Sequence, residues 1–333
     1  MKFLLEQEHA DLAAAIDGML AKADVPTAAR AWADGKYGAG LDIWRSLTDI
    51  GVTGLLVPDE YGGSGAGAVE VAVAAEQLGR HAVPGPVAET LAGVPILLRD
   101  TGSVQQLEAH ARGDLTTLAV APFAPRAVDT EVSTTYLLDG TTLSEGIAGE
   151  LKQSVDPTRR LAALTAGELL DTDVDGSVAI DYAVLATAAQ LLGLGQSMLT
   201  MAADYAKSRN QFGKPIGSFQ AVKHHLADVA VALEMARPLL HGAALALEGQ
   251  VPDTVLVTRE VAAAKVAAGD AAYLAARKSL QVMGAIGYTA EHDISLFITK
   301  TRALVSAWGT GALHRDRILE TLRGTTATIE VSR

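Results

Sequence analysis

The sequence predicts a mostly helical α+β protein with a small sheet in the middle of the chain. Apolar residues recur at helical spacing through residues 1–112 and again through 181–333. Between them, short runs rich in threonine and valine are bounded by proline, glycine and aspartate, which is typical of strands and turns. We therefore expect an N-terminal helical domain (1–112), a reduced β-domain (113–180) and a C-terminal helical bundle (181–333).

Composition limits the classes of function. The 333 residues can bury a sizeable core, and 49% hydrophobic but only 5% aromatic residues favour closely packed helices. The formal net charge of -12 argues against a nucleic acid or an anionic membrane as partner. The absence of cysteine excludes thiolate metal sites and fits a cytoplasmic location. The N-terminus has no signal-peptide pattern, and no apolar run approaches the ~18 residues of a membrane span.

The N-terminal third contains several helical patterns and one glycine cluster. The cluster, from Gly62 to Gly67, has neither the G-K-[ST] nor the G-x-G-x-x-G spacing of a phosphate loop, so we predict a tight turn. The predicted helices run from the N-terminus to about Pro26, from Leu41 to Gly51, from Val69 to Leu78 before Gly79, and, as one or two helices, from Val94 to Ala111.

Three runs in the middle segment read as strands. They begin at Leu115, Val132 and Val174 and have the sequences LTTLAVAPF, VSTTYLLDG and VDGSVAID. Beyond them the chain is helical, and alanines repeated between Val255 and Leu280 would let helix backbones approach closely.

Two helical patterns of the C-terminal bundle meet at a loop that contains Arg209, Gln211 and Phe212. Ser218 stands where the N-cap of the second helix is expected. An arginine offers planar donors to pyrophosphate oxygens, and an aromatic ring offers a face to a flat heterocycle. The same residues also suit an exposed arginine beside a phenylalanine that fills a helix corner. Spacing alone leaves both interpretations open.

A long motif carries a resemblance to a known family. The loop and the following helix read R-x-Q-F-G-K-P-I-x-x-F-Q-A-V-x-H-x-L-A-D, which resembles the acyl-CoA dehydrogenase family at the start of its C-terminal domain. The segment L-x-x-x-G-V-x-G-L-L-V-P-x-E-Y-G-G-x-G is similar to the family's N-terminal domain, where it forms a turn beside the acyl channel. The run QVMGAIGY resembles the family's Q-x-x-G-G-x-G loop, with Ala285 in place of the second glycine.

This resemblance implies FAD as the cofactor. In the family both loops reach across a subunit interface to the pyrophosphate and adenosine of a neighbour's FAD. Amide side chains and open backbone N–H groups suit such contacts chemically. The FAD-contact residues implied here are Arg209, Gln211, Phe212, Gln220, Gln281, Gly284 and Ala285.

The chain departs from the family where catalysis is concerned. The family's flavin-ring motifs are missing from the β segment, where APFAPRAVDTE replaces the first of them. The resemblance places the catalytic glutamate 27 residues after Gln281, but Trp308 stands there, followed by Gly309-Thr310. The family's other position for this glutamate falls on Ala183. Asp181 lies close by, but we predict it to be the N-cap of a helix opening at Tyr182. We assign no catalytic residue.

No other cluster of polar residues supplies an active site. His224, His225 and Asp228 lack metal-ligand spacing, so we predict no metal site.

The chain keeps the FAD-contact loops but lacks the flavin-ring motifs and the catalytic glutamate. This combination resembles the smaller, non-catalytic subunit of actinobacterial heteromeric acyl-CoA dehydrogenases. That resemblance implies an α2β2 assembly with a larger subunit that supplies the base, one FAD at each unlike interface, and CoA thioesters such as those of steroid side chains. Two alternatives stay open: a homodimeric flavoenzyme with an unrecognised base such as Asp181, and a scaffold subunit that binds no flavin.

Overall fold

Helical segments precede and follow a small mixed sheet along the chain, which confirms the mostly helical α+β fold class. The computed structural model describes residues 5–289 and 292–331, with side chains described as far as residue 323. The hydrophobic core within this part runs continuously from Ile16 to the loop that contains Trp308, so helices of both ends and strands of the sheet share one core.

From residue 5 to residue 112, the chain forms six α-helices. The helix predicted to end near Pro26 ends at Leu20, because Pro26 belongs to the first turn of the next helix, where its missing N–H is not needed. A short π-helical segment at Glu89–Gly93 leads into the fifth helix. The six helices are α1 Gln7–Leu20, α2 Val25–Ala33, α3 Gly38–Asp49, α4 Ala68–Arg80, α5 Val94–Asp100 and α6 Val104–Ala111.

The sheet has five strands in the order β1-β3-β4-β5-β2. Only the β1–β3 pairing is parallel, and the other pairings are antiparallel. The runs at Leu115 and Val132 form strands as predicted. The strands are β1 Thr116–Val120, β2 Ala127–Val128, β3 Thr134–Asp139, β4 Thr142–Gln153 and β5 Arg160–Asp171.

Two predictions for this segment fail. The predicted strand VDGSVAID is wrong, because Ser177 already begins a long helix. The β4–β5 hairpin was not predicted as strands, because much of it is exposed and its residues do not alternate between apolar and polar. Ile147 and Leu169, for example, are 58% and 60% exposed.

The C-terminal part packs long helices around α7 (Ser177–Ser208), which is buried on all sides from Asp181 to Gly195. A short hairpin separates α7 from α8. A Cβ atom on Gly195 of α7 would lie 3.4 Å from the Cα of Ala272, so glycine and alanine do allow these helix backbones to approach closely. The elements are α7 Ser177–Ser208, β6 Asn210–Gln211, β7 Lys214–Pro215, α8 Gln220–Leu247, α9 Val257–Met283, α10 Ile294–Leu304 and α11 Gly311–Val331.

Contacts within the folded chain explain the glycines at two places. Helix α4 continues through Gly79 to Arg80, so Gly79 does not stop it. A Cβ atom on Gly79 would lie 2.3 Å from the carbonyl oxygen of Gln190, so the glycine is needed for contact with α7. The cluster that begins at Gly62 forms the predicted turn, with positive φ at Gly62 and Gly65 and a hydrogen bond from Gly65 N to the Val57 carbonyl.

Helices α7 and α8 are long and apolar enough to cross a membrane by length and composition. The apolar window of α7 is 89% buried within the fold, and that of α8 is 50% buried. A buried core helix passes the same test, so these two helices are weak indications of a membrane span.

Candidate functional site

The residues implied to contact FAD lie on two loops that we call the loop set: Arg209, Gln211, Phe212, Gln220, Gln281, Gly284 and Ala285. The first loop joins α7 to α8, and the second follows α9. Lys278 Nζ lies 2.9 Å from His225 Nδ1. Lys278 is five residues before the end of α9, and His225 is five residues after the start of α8. The ends of α8 and α9 that carry the loop set therefore lie side by side.

The first loop exposes its functional groups. Phe212 is 90% exposed and has φ +53°, a conformation that is uncommon for residues other than glycine. Its ring makes an edge contact with Phe219, at 6.2 Å between ring centroids. The predicted N-cap role of Ser218 is wrong. Phe219 is the N-cap residue, and Ser218 Oγ donates instead to the Pro215 carbonyl at 2.7 Å.

The polar side chains of the loop set have unused hydrogen-bonding capacity. Within the described part of the chain, no hydrogen bond or ion pair engages the side chains of Arg209, Gln211 and Gln220, nor that of Gln281. Gly284 has φ +62°, and a Cβ atom built there would meet nothing within 4 Å. The two loops thus present a guanidinium, three amides, an aromatic face and an open backbone to the surface. Such groups match the phosphate, ribose and ring parts of a dinucleotide.

Trp308 lies in the loop between α10 and α11 and is fixed from three sides. Its indole N–H donates to Glu89 Oε1 at 3.0 Å. Its carbonyl lies 2.9 Å from His314 Nε2, and since a carbonyl only accepts, this nitrogen carries the proton. The next residue, Gly309, donates its N–H to the Phe123 carbonyl at 3.0 Å. Trp308 is 1% exposed and has φ +53°, so surrounding contacts hold a strained residue in place.

The structure brings Trp308 and Ala183 to the same place. A Cβ atom built on Gly93 would lie 3.2 Å from Ala183 Cβ and 3.6 Å from Trp308 Cη2. The two positions at which the resemblance expects a catalytic glutamate therefore border one small volume, although they are far apart in sequence. The Trp308 indole reaches into this volume, and Ala183 is fully buried beside it.

Asp181 has a structural partner. It accepts a hydrogen bond from Arg317 Nη2 at 2.7 Å and another from Thr258 Oγ1 at 3.1 Å, and it is 4% exposed. Its predicted role as an N-cap is wrong, because α7 begins at Ser177 with Gly176 as the N-cap residue. Asp181 thus joins three helices through a buried ion pair.

Sequence reasoning missed Glu89. This carboxylate is 3% exposed, and its second oxygen, Oε2, has no hydrogen-bond partner in the described part of the chain. The sequence contained a signal for this residue. Glu89 is the one Asp, Glu, Lys or Arg in the mostly apolar stretch HAVPGPVAETLAGVPILL, which begins at His81. Its partner Trp308 is 219 positions away, and no local pattern identifies such a pair.

Comparisons with known proteins identify the family to which this fold belongs. The family models "Acyl-CoA dehydrogenase, N-terminal domain" and "Acyl-CoA dehydrogenase, C-terminal domain" match residues 6–110 and 177–323. The chain is 30% identical over 313 residues to the acyl-CoA dehydrogenase IpdE2 of Mycolicibacterium smegmatis, covering 92% of this chain and 96% of that protein.

Solved structures show the same fold. A structure of the Tcur3481-Tcur3483 steroid ACAD superposes with a TM-score of 0.83 at 20% identity, covering 96% of this chain and 99% of that one. The ChsE4-ChsE5 complex from Mycobacterium tuberculosis superposes with a TM-score of 0.79 at 21% identity, covering 97% and 99%. At these identities the likeness concerns the fold alone.

The matches first define a class, that of oxidoreductases with a flavoprotein fold. Within that class, this chain belongs to the acyl-CoA dehydrogenase family.

Proposed function

We propose that this chain is the smaller, non-catalytic subunit of a heteromeric FAD-dependent acyl-CoA dehydrogenase, whose larger subunit supplies the catalytic base. The observation that carries the proposal is Trp308. This buried indole borders the same volume as Ala183, so neither expected base position offers a carboxylate. Removal of the α-proton of an acyl thioester needs a base beside that carbon, and the partner subunit would provide it.

The donor set of the loop set fits FAD. The guanidinium of Arg209 would pair with pyrophosphate oxygens, and the N-terminus of α8, which starts at Gln220, adds favourable dipole charge. The exposed ring of Phe212 would stack on a flat ring of the cofactor. FAD supplies the acceptor for the hydride that leaves the β-carbon of the acyl group. Residues of this chain would bind and orient one end of the cofactor and would move no proton.

Several features support a partner subunit. The two structural neighbours named above are assemblies of two differently named chains, and one of them is a steroid ACAD. On α8, Val231, Met235 and Leu239 form an apolar stripe of one helix face and are 62%, 69% and 40% exposed. An exposed stripe of this kind is typical of a surface that another protein covers. We propose an α2β2 assembly in the cytoplasm that acts on an acyl-CoA, with a steroid-derived acyl group as the favoured class.

Flavin content tests the proposal. Purified alone, the chain should carry little FAD, because it would supply only part of each binding site. Purified with its partner, it should be yellow, with about one FAD for each pair of unlike subunits, measured from flavin absorbance against protein concentration. Full flavin content in the chain alone would contradict the shared site. A stable complex without flavin would instead identify a scaffold subunit.

The homodimeric alternative has less support. Asp181, its candidate base, is engaged by Arg317 and Thr258, and its carboxylate is buried. Dehydrogenase activity of the chain alone, lost in Asp181→Asn at unchanged flavin content, would restore this alternative.

A further inference from the structure

A cavity, which we call the Arg159 cavity, lies between the sheet segment and the C-terminal helices. Its volume is about 190 Å³. Its walls include the apolar side chains Phe123, Leu161 and Trp308 and the charged side chains Glu89, Arg126 and Arg159. It shares no residue with the loop set.

Arg159 is the most informative residue of this cavity. It is 8% exposed, and no hydrogen bond or ion pair engages its guanidinium in the part of the chain that the structure describes. A guanidinium carries five N–H donors and stays charged, and no Arg159 nitrogen is fully enclosed, so its donors are accessible to an acceptor in the cavity. Buried charged groups in proteins are ordinarily paired. An acceptor from outside the chain would complete this site.

The backbone that carries Arg159 is held rigidly. Asp156 Oδ1 accepts from both the N–H and the hydroxyl of Thr158, at 2.9 and 2.8 Å. Lys300 Nζ donates to Thr158 Oγ1 at 3.0 Å and lies 3.4 Å from Asp156 Oδ2. Arg159 N donates to the Asp156 carbonyl at 3.0 Å. Buried polar groups therefore fix this turn and hold the backbone of Arg159 in place before any ligand arrives.

Within the chain, the buried carboxyl of Asp129 is a candidate partner for Arg159, but the two are not paired. Burial raises the pKa of Asp129 to about 6, and the charge of Arg159 is among the influences that oppose this rise. No ion pair within 4.0 Å joins them, and Asp129 Oδ1 instead accepts from the backbone N–H of Arg160 at 3.1 Å. Asp129 does not line the cavity. The donors of Arg159 on the cavity side thus lack a protein acceptor.

Glu89 offers the complementary group on the same cavity. One of its oxygens is occupied by the Trp308 indole, and the other has no partner among the described residues. The cavity wall therefore carries an unused carboxylate acceptor, a buried guanidinium and, at the rim, the exposed guanidinium of Arg126. Two positive side chains and one negative side chain give this wall an excess of one positive charge, which one further negative charge would neutralise.

We propose that the Arg159 cavity binds a small hydroxycarboxylate, with its carboxylate on Arg159 and its hydroxyl donating to Glu89 Oε2. The planar fork of arginine matches the two oxygens of a carboxylate. The apolar walls contact a compact hydrocarbon body. The volume equals that of about six waters, which limits the ligand to a small acid or to one end of a longer molecule. A free acid and the far end of an acyl-CoA can both present this chemistry.

Calorimetric titration of the full-length chain tests this assignment with mandelate as the probe. Phenylacetate lacks the hydroxyl, and benzyl alcohol lacks the carboxylate. We expect mandelate to bind more tightly than phenylacetate, and benzyl alcohol not to saturate the site. Succinyl-CoA and butyryl-CoA, titrated in parallel, separate the two sources, because only the first carries a carboxylate at its far end.

Variants of the chain test whether Arg159 and Glu89 form the binding site. Arg159→Gln should weaken mandelate binding about tenfold or more, through loss of the charged bidentate contact. Arg112→Gln, which changes an exposed arginine at the end of α6, should leave it unchanged. Glu89→Gln keeps an acceptor for the Trp308 indole and should abolish the preference for mandelate over phenylacetate. If Arg159→Gln does not fold, Arg159→Lys serves in its place and should retain part of the affinity.

Two results would overturn the proposal. One is the absence of saturable binding for mandelate and for succinyl-CoA at concentrations up to about 10 mM. The other is equal affinity of the wild-type chain and the folded Arg159 variant for whichever probe binds. A preference for succinyl-CoA over mandelate that disappears in the Arg159 variant would support the site and assign it to the end of an acyl-CoA.

Discussion

The indole N–H of Trp308 donates to the buried carboxylate of Glu89 at 3.0 Å, joining the C-terminal bundle to the segment that leads into α5. Trp308 stands where the family resemblance expects a catalytic glutamate. The residue that replaces that carboxylate is therefore bound to a different carboxylate, contributed by the N-terminal part of the chain. This contact both fills the volume beside Ala183 and orders one wall of the Arg159 cavity.

Truncation of Trp308 should lower stability without lowering turnover. Trp308→Ala removes a large buried side chain and should cost about 3–5 kcal/mol of unfolding free energy. Trp308→Phe leaves Glu89 Oε1 without its donor and should cost about 1–3 kcal/mol. Urea denaturation of the chain measures both losses, and kcat of the complex should stay nearly unchanged. A collapse of kcat in Trp308→Ala, at unchanged stability and flavin content, would mean that Trp308 lines a working active site.

Restoring the family's residue should not restore activity. Trp308→Glu would place a second buried carboxylate beside Glu89, and like charges at short range oppose each other's ionisation. We expect a loss of several kcal/mol of stability and no dehydrogenase activity in the chain alone. The double variant Trp308→Glu/Glu89→Gln removes the repulsion and serves as the matched control. Activity in either variant without a partner would refute the half-site proposal.

The Asp181–Arg317 pair should behave as a structural ion pair. Asp181→Asn leaves Arg317 buried without its counter-charge and should cost about 3–5 kcal/mol. Replacement of both residues by leucine should cost less than the single change, because no uncompensated charge then remains. Thermal or urea denaturation of the two variants and of the wild-type chain tests this. A variant Asp181→Asn with wild-type stability but no turnover in the complex would identify Asp181 as a base.

Flavin retention should depend on Arg209. Arg209→Ala should lower FAD affinity of the complex about ten- to a hundredfold, because a charge-assisted contact contributes about 1.5–3 kcal/mol. Arg209→Lys should restore part of this affinity, since an ammonium lacks the planar fork. Lys207→Ala is the matched control, because Lys207 is a neighbouring exposed cation paired with Asp204 at 2.8 Å. Flavin fluorescence released on dilution gives the affinities, and equal retention in Arg209→Ala and Lys207→Ala would remove Arg209 from the site.

Stability should fall as the pH decreases from about 6.5 to 4. Burial lowers the pKa of both His110 and His314 to about 4, from the usual 6.5. Over this interval the unfolded chain binds protons at both histidines that the folded chain does not bind, so unfolding is favoured. The pKa of Asp129 is raised from 3.8 to about 6, so this carboxyl acts in the opposite direction.

At these three groups together, the unfolded chain binds about one proton more than the folded chain. This predicts that the free energy of unfolding changes by about 1.4 kcal/mol per pH unit. Urea denaturation at several pH values measures it. His110→Gln should flatten the dependence. A pH-independent stability over this interval would mean that at most one of the two buried histidines stays neutral in the folded chain, because the proton bound by Asp129 offsets one histidine.

Local sequence patterns alone predict most of the helices and the place of the sheet. The apolar spacing from Leu41 to Gly51 matches α3, and the pattern before the Arg209 loop lies on α7, because one buried face per helix leaves a 3.6-residue period in the sequence. The R-x-Q-F motif likewise identified a loop, whose chemistry its residue types already suggest. The loop set remains a prediction, and its exposed, unpaired side chains support it.

Contacts between distant segments determine the features that local sequence patterns do not predict. Gly79 looked like a helix stop, but it is a glycine because the backbone of Gln190 passes over it. The β4–β5 hairpin lacks alternation because much of it is exposed, so its strands depend on backbone pairing with each other. The bond between Trp308 and Glu89 and the pair of Asp181 with Arg317 join positions more than a hundred residues apart. Periodicity in the sequence indicates which face of an element is buried, but only the packed chain determines which side chain of another element contacts that face.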